Sequence, residues 1–113
     1  MSARLPVGIA VSALLRRIND AGGLAMVLAK GEPNDGALLF VTYEKGQFSG
    51  IFQREPSLDG GARLARLGPD DSADPVIIHD FWMRRRNMDP DCWVIELDIA
   101  SAERFAAETV LID

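Results

Sequence analysis

The chain is poor in the residues that most often announce a chemistry. It holds one cysteine, Cys92, and one histidine, His79, among 113 residues. A lone cysteine makes no internal disulfide, and together with a lone histidine it leaves no ligand set for a structural zinc. Both facts favour the cytosol. Positive charge is scarce as well: 12 Lys and Arg stand against 17 Asp and Glu, a formal charge of -5. That balance, with a pI near 4.8, argues against nucleic acid as a general partner, since affinity for the phosphate backbone needs a basic footprint. No apolar run approaches the roughly 20 residues that cross a bilayer. Arg4 followed by Val7–Leu15, VGIAVSALL, resembles the apolar centre of a secretory signal. Arg16-Arg17 follow at once, however, and no small-x-small cleavage site is present, so these residues are read as an amphipathic helix.

What is present is the composition of an ordinary folded protein, 48% hydrophobic and 26% charged, at the length of a single globular domain. Val7, Val11, Leu14, Leu15 and Ile18 form one helical stripe, which predicts a helix over about 6–21, released by Gly22-Gly23. The period then changes. LAMVLAK (24–30), ALLFVTYE (37–44) and QFSGIFQR (47–54) read as strands, with GEPNDG (31–36) as a connector and Lys45-Gly46 as a two-residue hairpin turn. GEPNDG lacks the lysine and the following helix of a phosphate-binding loop.

The turn sets an expected register. Tyr43–Phe48, Val41–Gly50 and Leu39–Phe52 pair on a core face, while Glu44–Gln47, Thr42–Ser49 and Leu38–Gln53 pair on a wetter one. Phe40 opposite Ile51 leaves an apolar patch on the wet face, to be covered by the first helix, the C-terminal segment or another subunit. EPSLDGG (55–61) reads as a loop. ARLARL (62–67) reads either as a short strand or as irregular chain, because its three-residue repeat does not alternate.

Asp74 and Pro75 give a helix start, and Pro90 forces a stop, so a second helix is predicted over 75–88, burying Ile77, Ile78, Phe81, Trp82 and Met88. Cys92–Ile99 then alternates, with Trp93, Ile95, Leu97 and Ile99 on one side and Cys92, Val94, Glu96 and Asp98 on the other. Ser101 starts a last short helix through Phe105, and VLID is a tail. The expected fold is α+β: an N-terminal helix, a mostly antiparallel sheet of four or five strands, and a second helix before the last strand, packed on one sheet face.

The chemistry-bearing candidates gather around 84–98. Asp89, Asp91, Glu96 and Asp98 form an acidic corner, in which Glu96 and Asp98 share a strand face with Cα atoms about 6.5–7 Å apart. Such carboxylates suit a hard cation or an acid and base pair, unless they only shape a turn and line a solvated strand. Arg84, Arg85 and Arg86 are successive on a helix, hence about 100° apart, and fit a helix C-terminus better than one basic patch. Arg16 and Arg17 close the first helix in the same way. A convergence of the two arginine groups would make an anion site. His79 has no partner for a catalytic dyad, and Cys92 is a small half-buried residue unless the arginines activate it. Trp82 and Trp93 are expected in the core.

The double arginine closing the first helix, the Gly31 loop with Asp35-Gly36, and above all Arg86…Asp89-Pro90-Asp91-x-Trp93-Val94-Ile95-Glu96 resemble the small bacterial proteins of domain of unknown function family 1491. The resemblance runs from Arg4 to about Asp98, and its most specific part is DPDxWVIE. It implies a cytosolic, single-domain protein with this element order, and it implies no mechanism. The chain departs from the family's pattern where the family has an aromatic residue within the segment reading ARLARL, which weakens a strand there. It departs again at Asp98, where the family has glutamate, so that position needs a charge more than a particular ligand geometry.

Three functional expectations follow. The preferred one is a non-enzymatic cytosolic binding or adaptor module without cofactor or membrane contact, paired with another protein or with itself through a sheet edge or the Phe40/Ile51 patch. The second is a metal-assisted hydrolase or nuclease-like enzyme using Asp89, Asp91 and Glu96. The third is a nucleotide or nucleic-acid binder using Arg16, Arg17 and Arg84–Arg86. Arg16, Arg17, Arg86, Asp89, Asp91, Trp93 and Glu96 are the candidate ligand-binding residues.

Overall fold

The computed structural model describes residues 5–56 and 62–111. In chain order these form helix α1 (Val7–Asp20), strands β1 (Leu24–Ala29), β2 (Leu38–Glu44), β3 (Gln47–Pro56) and β4 (Ala62–Leu67), helix α2 (Pro75–Met88), strand β5 (Trp93–Asp98) and helix α3 (Ala102–Leu111). ARLARL is therefore a strand: pairing with β3, from Ile51↔Leu67 to Pro56↔Ala62, decides what its period did not. The loop expected over 55–61 begins later, because Glu55 and Pro56 belong to β3; residues 57–61, like Arg4, lie outside the described residues. The last helix runs well past Phe105.

The strands form one sheet in the order β1-β5-β2-β3-β4. It is mixed rather than wholly antiparallel. After β4, helix α2 recrosses the sheet and delivers β5 between β1 and β2, where β5 runs parallel to β2 and antiparallel to β1. Asp74 starts α2 as expected, its Oδ1 accepting the Ile77 N–H at 3.0 Å.

Both faces of the sheet are covered. The stripe Val7, Val11, Leu14 and Ile18 of α1 and Ala102 and Ala106 of α3 bury Leu38, Phe40, Phe52, Trp93, Ile95 and Leu97 on one face. Ile78 and Trp82 of α2 bury Leu39, Val41, Ile51, Cys92 and Val94 on the other. Burial of each large apolar side chain contributes about 1.5–3 kcal/mol against exposure. The stripe of α2 is narrower than expected: Ile78, Phe81, Trp82 and Arg85 turn inward at i, i+3, i+4 and i+7, leaving Ile77 50% and Met88 81% exposed on its flanks.

The hairpin holds a second departure. Glu44↔Gln47 and Tyr43↔Phe48 pair as expected, but Thr42 pairs with Gly50, so Ser49 is an extra residue and the register beyond it shifts by one. Gly50 sits at φ +147°, a conformation other residues rarely adopt. Thr42 Oγ1 ties the bulge, lying 2.8 Å from Ser49 Oγ and donating to Gly50 O at 2.9 Å. The shift sends Phe52 to the α1/α3 face and Ile51 to the α2 face. The expected Phe40/Ile51 patch is thereby dissolved: the two residues lie on opposite faces, each 0% exposed, so they offer no surface to a partner.

Candidate functional site

The Asp-Pro-Asp corner is a latch built from backbone. Asp89 ends α2, its N–H donating to Arg85 O at 3.0 Å, and its Oδ1 accepts the Asp91 N–H at 3.2 Å. Asp91 then offers its carbonyl, not its carboxylate, to the loop 31–36, accepting the Glu32 N–H at 3.0 Å. The approach is so close that a Cβ on Gly31 would lie 2.1 Å from that carbonyl oxygen, and one on Gly36 2.3 Å from it. Trp93 closes the latch: its indole Nε1 donates to Glu32 O at 2.7 Å and its N–H to Ala37 O at 2.8 Å. Pro33 O in turn accepts the Gly8 N–H at 2.8 Å, which fastens the loop to the start of α1. Trp93 is a core residue, 4% exposed.

The expected ligand sets do not assemble. Among the described residues no three His, Cys, Asp or Glu groups gather around one point where they could share a metal ion. Asp89 and Asp91 face solvent at the corner, while Glu96 stands on β5 toward Asp98 and Tyr43. The arginines diverge too. Arg16 is exposed, and Arg17 bridges to Glu108 at 2.5 Å on the α1/α3 side. On the α2 side, Arg84 is exposed, Arg85 donates to Gln53 Oε1 of β3, and Arg86 donates to Lys30 O at 3.1 Å. The sheet separates the two groups, so Arg16 and Arg17 share no positive face with Arg84–Arg86. Cys92 is buried, and its thiol is pushed up to about 11 by desolvation and Asp89, against the smaller pull of Arg85 and Arg86. It lines a cleft of about 270 Å³ with Ala37, Gln53, Arg85, Met88 and Asp89, and the raised thiol disfavours the thiolate form there.

Asp98 has a structural task that accounts for the charge at its position. Its two carboxylate oxygens accept the Lys45 and Gly46 N–H groups at 2.8 and 2.9 Å, capping the β2–β3 turn from β5. Asp98→Ala is expected to cost about 1–2 kcal/mol, measured by urea unfolding, and Asp98→Glu should recover most of it. Beside it, burial and then the Asp98 charge raise the Glu96 carboxyl above its ordinary value; burial, then Glu96 and Asp98, do the same to Tyr43. A carboxyl whose folded-state pKa is raised holds its proton more tightly when folded, so stability falls as pH climbs from the unfolded value through the folded one. Glu96→Gln is therefore expected to gain about 0.5 kcal/mol or less at pH 7, limited by solvent screening, and nothing below pH 4. Thermal unfolding across that range checks both halves.

Sequence reasoning named a sheet edge as a contact surface but not which strand forms it; the structure puts β1 there. LAMVLA carries no charge and no polar alternation, the composition of a strand buried on both faces at the centre of a sheet, yet β1 is outermost. Leu24 is 72% and Met26 54% exposed. These two share the α2-side face with their register partners Asp98 and Glu96. The opposite edge, β4, is guarded by Arg63, bridged to Glu55 at 2.7 Å, and Arg66, paired with Asp71. Charged side chains blunt a sheet edge against pairing, and β1 has none between Leu24 and Ala29.

The fold places the chain among small α+β proteins built on a mixed five-stranded sheet, here with a D-P-D-x-W corner that clasps a glycine loop. The chain belongs to the family described as Protein of unknown function (DUF1491), whose model matches residues 5–107. The crystal structure of a DUF1491 family protein from Caulobacter crescentus CB15 is 25% identical, with a TM-score of 0.79 over 90% of this chain and 94% of that one. An NMR structure of a DUF1491 family protein from the same bacterium is 27% identical, with a TM-score of 0.75 over 92% and 94%. A protein from A. tumefaciens, solved in solution, is 26% identical, with a TM-score of 0.69 over 85% and 86%. No curated protein matches the chain. No helix of the described residues is long and apolar enough to cross a membrane.

Proposed function

We propose that the protein is a non-enzymatic binding module of the bacterial cytosol, a single domain whose working surface is the bare β1 edge and the strip of sheet beside it. One observation carries the reading: an uncharged apolar strand stands at the open edge with Leu24 and Met26 exposed, while the other edge is guarded by arginines. Such an edge receives an extended chain through main-chain hydrogen bonds, with side-chain contacts on alternate residues. The cytosolic placement rests on the unpaired, buried Cys92. The divergence of Asp89, Asp91 and Glu96, and of Arg16 and Arg17 from Arg84–Arg86, favours this surface over a hydrolytic or nucleotide-binding site.

The test is an NMR titration with a lysine-flanked peptide of alternating valine and threonine. Amide shifts over 24–29 of β1 and on β5 at 94–98, absent from β4, are the expected result. Shifts confined to the cleft of Arg85 and Cys92, or no shifts at millimolar peptide, overturn the reading.

A further inference from the structure

We infer that the cleft beside Cys92 binds a free α-amino acid with an apolar side chain, its carboxylate on Arg85 and its ammonium on Asp89. This site is separate from the β1 edge and does not rest on it. Ala37 at the start of β2, Gln53 of β3, Arg85 and Met88 of α2, and Asp89 and Cys92 of the corner enclose about 270 Å³. Sites for drug-sized ligands run from about 300 to 1,000 Å³, so this one suits a smaller molecule.

The two charged residues of the lining have opposite signs and do not meet. Arg85 and Asp89 stand at i and i+4, a spacing at which side chains pair on a helix. Asp89 has left the helix, at φ -135° and ψ 89°, and no ion pair joins the two. Each keeps capacity for a ligand. The Arg85 guanidinium makes one hydrogen bond among the described residues, to Gln53 Oε1, which leaves further N–H groups of its fork and the Gln53 amide nitrogen as donors. Asp89 gives Oδ1 to the Asp91 N–H and keeps Oδ2. Both charges act on the Cys92 thiol, Asp89 raising it and Arg85 lowering it, so the thiol lies within the field of each. Ala37, Met88 and Cys92 supply the apolar part of the lining.

The surroundings add no net sign. Glu55, two residues along β3 from Gln53, is bridged to Arg63. Beyond the rim, Lys30, Arg84 and Arg86 are matched by Glu32, Asp35 and Asp91. A plain anion would meet Asp89 as a like charge, and a plain cation would meet Arg85. A zwitterion satisfies both.

Amide NMR titration of the full chain with L-leucine tests the proposal, beside isocaproate, which is leucine without its ammonium, and isopentylamine, which is leucine without its carboxylate. Leucine is expected to shift Ala37, Gln53, Asp89 and Cys92 and to saturate in the millimolar range. Isocaproate should bind about two- to fivefold more weakly, because Asp89 is exposed and screened. Isopentylamine should lose about tenfold or more with the half-buried Arg85 contact. Asp89→Asn should weaken leucine and leave isocaproate unchanged, and its Oδ1 still accepts the Asp91 N–H. Arg85→Gln should weaken leucine and leave isopentylamine unchanged; if circular dichroism shows that it does not fold, Asp89→Asn decides. Leucine shifts absent from the cleft or confined to 24–29 overturn the inference. So does isocaproate or isopentylamine binding as tightly as leucine, or leucine binding indifferent to Asp89→Asn. None of these results bears on the valine–threonine peptide at β1, so the two readings fail separately.

Discussion

Gly31→Ala is expected to destabilise the protein by about 3 kcal/mol or more, at the upper end of what forcing one methyl group into a filled site costs. The reason is local and covalent in scale. The added carbon would lie 2.1 Å from Asp91 O and 2.7 Å from the carbon that bears it, and both are backbone atoms. Neither can swing aside as a side chain would. Relief means parting the loop 31–36 from the corner, which also breaks the Glu32 N–H to Asp91 O bond. Chemical denaturation of the purified variant measures the loss. Asp91→Ala is the contrasting case: its carboxylate is exposed and its carbonyl survives the change, so the cost should stay within about 0.5 kcal/mol. A corner working through carboxylates would reverse that order.

The second large effect is at Trp93. Trp93→Ala is expected to cost about 3–5 kcal/mol, the range for removing a buried large aromatic. Trp93 is 4% exposed and fills the space between Gly8 at the start of α1 and Gly36 in the loop, its Cζ2 and Cδ1 lying 3.7 and 2.9 Å from where a Cβ on those glycines would stand. Removing it empties that space and leaves Glu32 O with only the longer bond from the Gly36 N–H at 3.3 Å. Trp93→Phe should keep most of the packing and lose the 2.7 Å hydrogen bond, costing about 0.5–1.5 kcal/mol, since Glu32 O keeps the Gly36 N–H at 3.3 Å. Thermal unfolding of the two variants separates packing from hydrogen bonding at one position.

Both predictions concern residues that the sequence made conspicuous for another reason. DPDCW reads as an acidic, arginine-flanked corner, and side-chain chemistry is what a sequence displays. What the corner does is done by the carbonyl of Asp91 and by the bare α-carbons of Gly31 and Gly36, and a carbonyl's partner is set by tertiary approach. The helix stripe of α1, the Asp74 cap and the inward side of β5 were readable because each follows from spacing within one element. The hairpin register failed at Ser49 because a bulge leaves no periodic trace; its one signal was Gly50 inside an otherwise regular strand.

Strand order was beyond reach for a related reason. LAMVLA has the composition of a central strand, and only the insertion of β5 between β1 and β2 shows that it ends up at the rim. That mismatch between composition and position is where the functional reading lies. The exposed Ile77 and Met88 of α2 are a milder case, since an apolar residue one step off the buried stripe faces water whatever its hydropathy.

The central claim, that β1 receives a strand, is tested most directly by amide hydrogen exchange along Leu24–Ala29 in the full chain, without and with the valine–threonine peptide. Strand addition predicts that the outward-facing amides of β1 exchange more slowly with the peptide present, while those of β4 are unchanged. Equal exchange of β1 in both samples at millimolar peptide, or slowing on β4 instead, would contradict it.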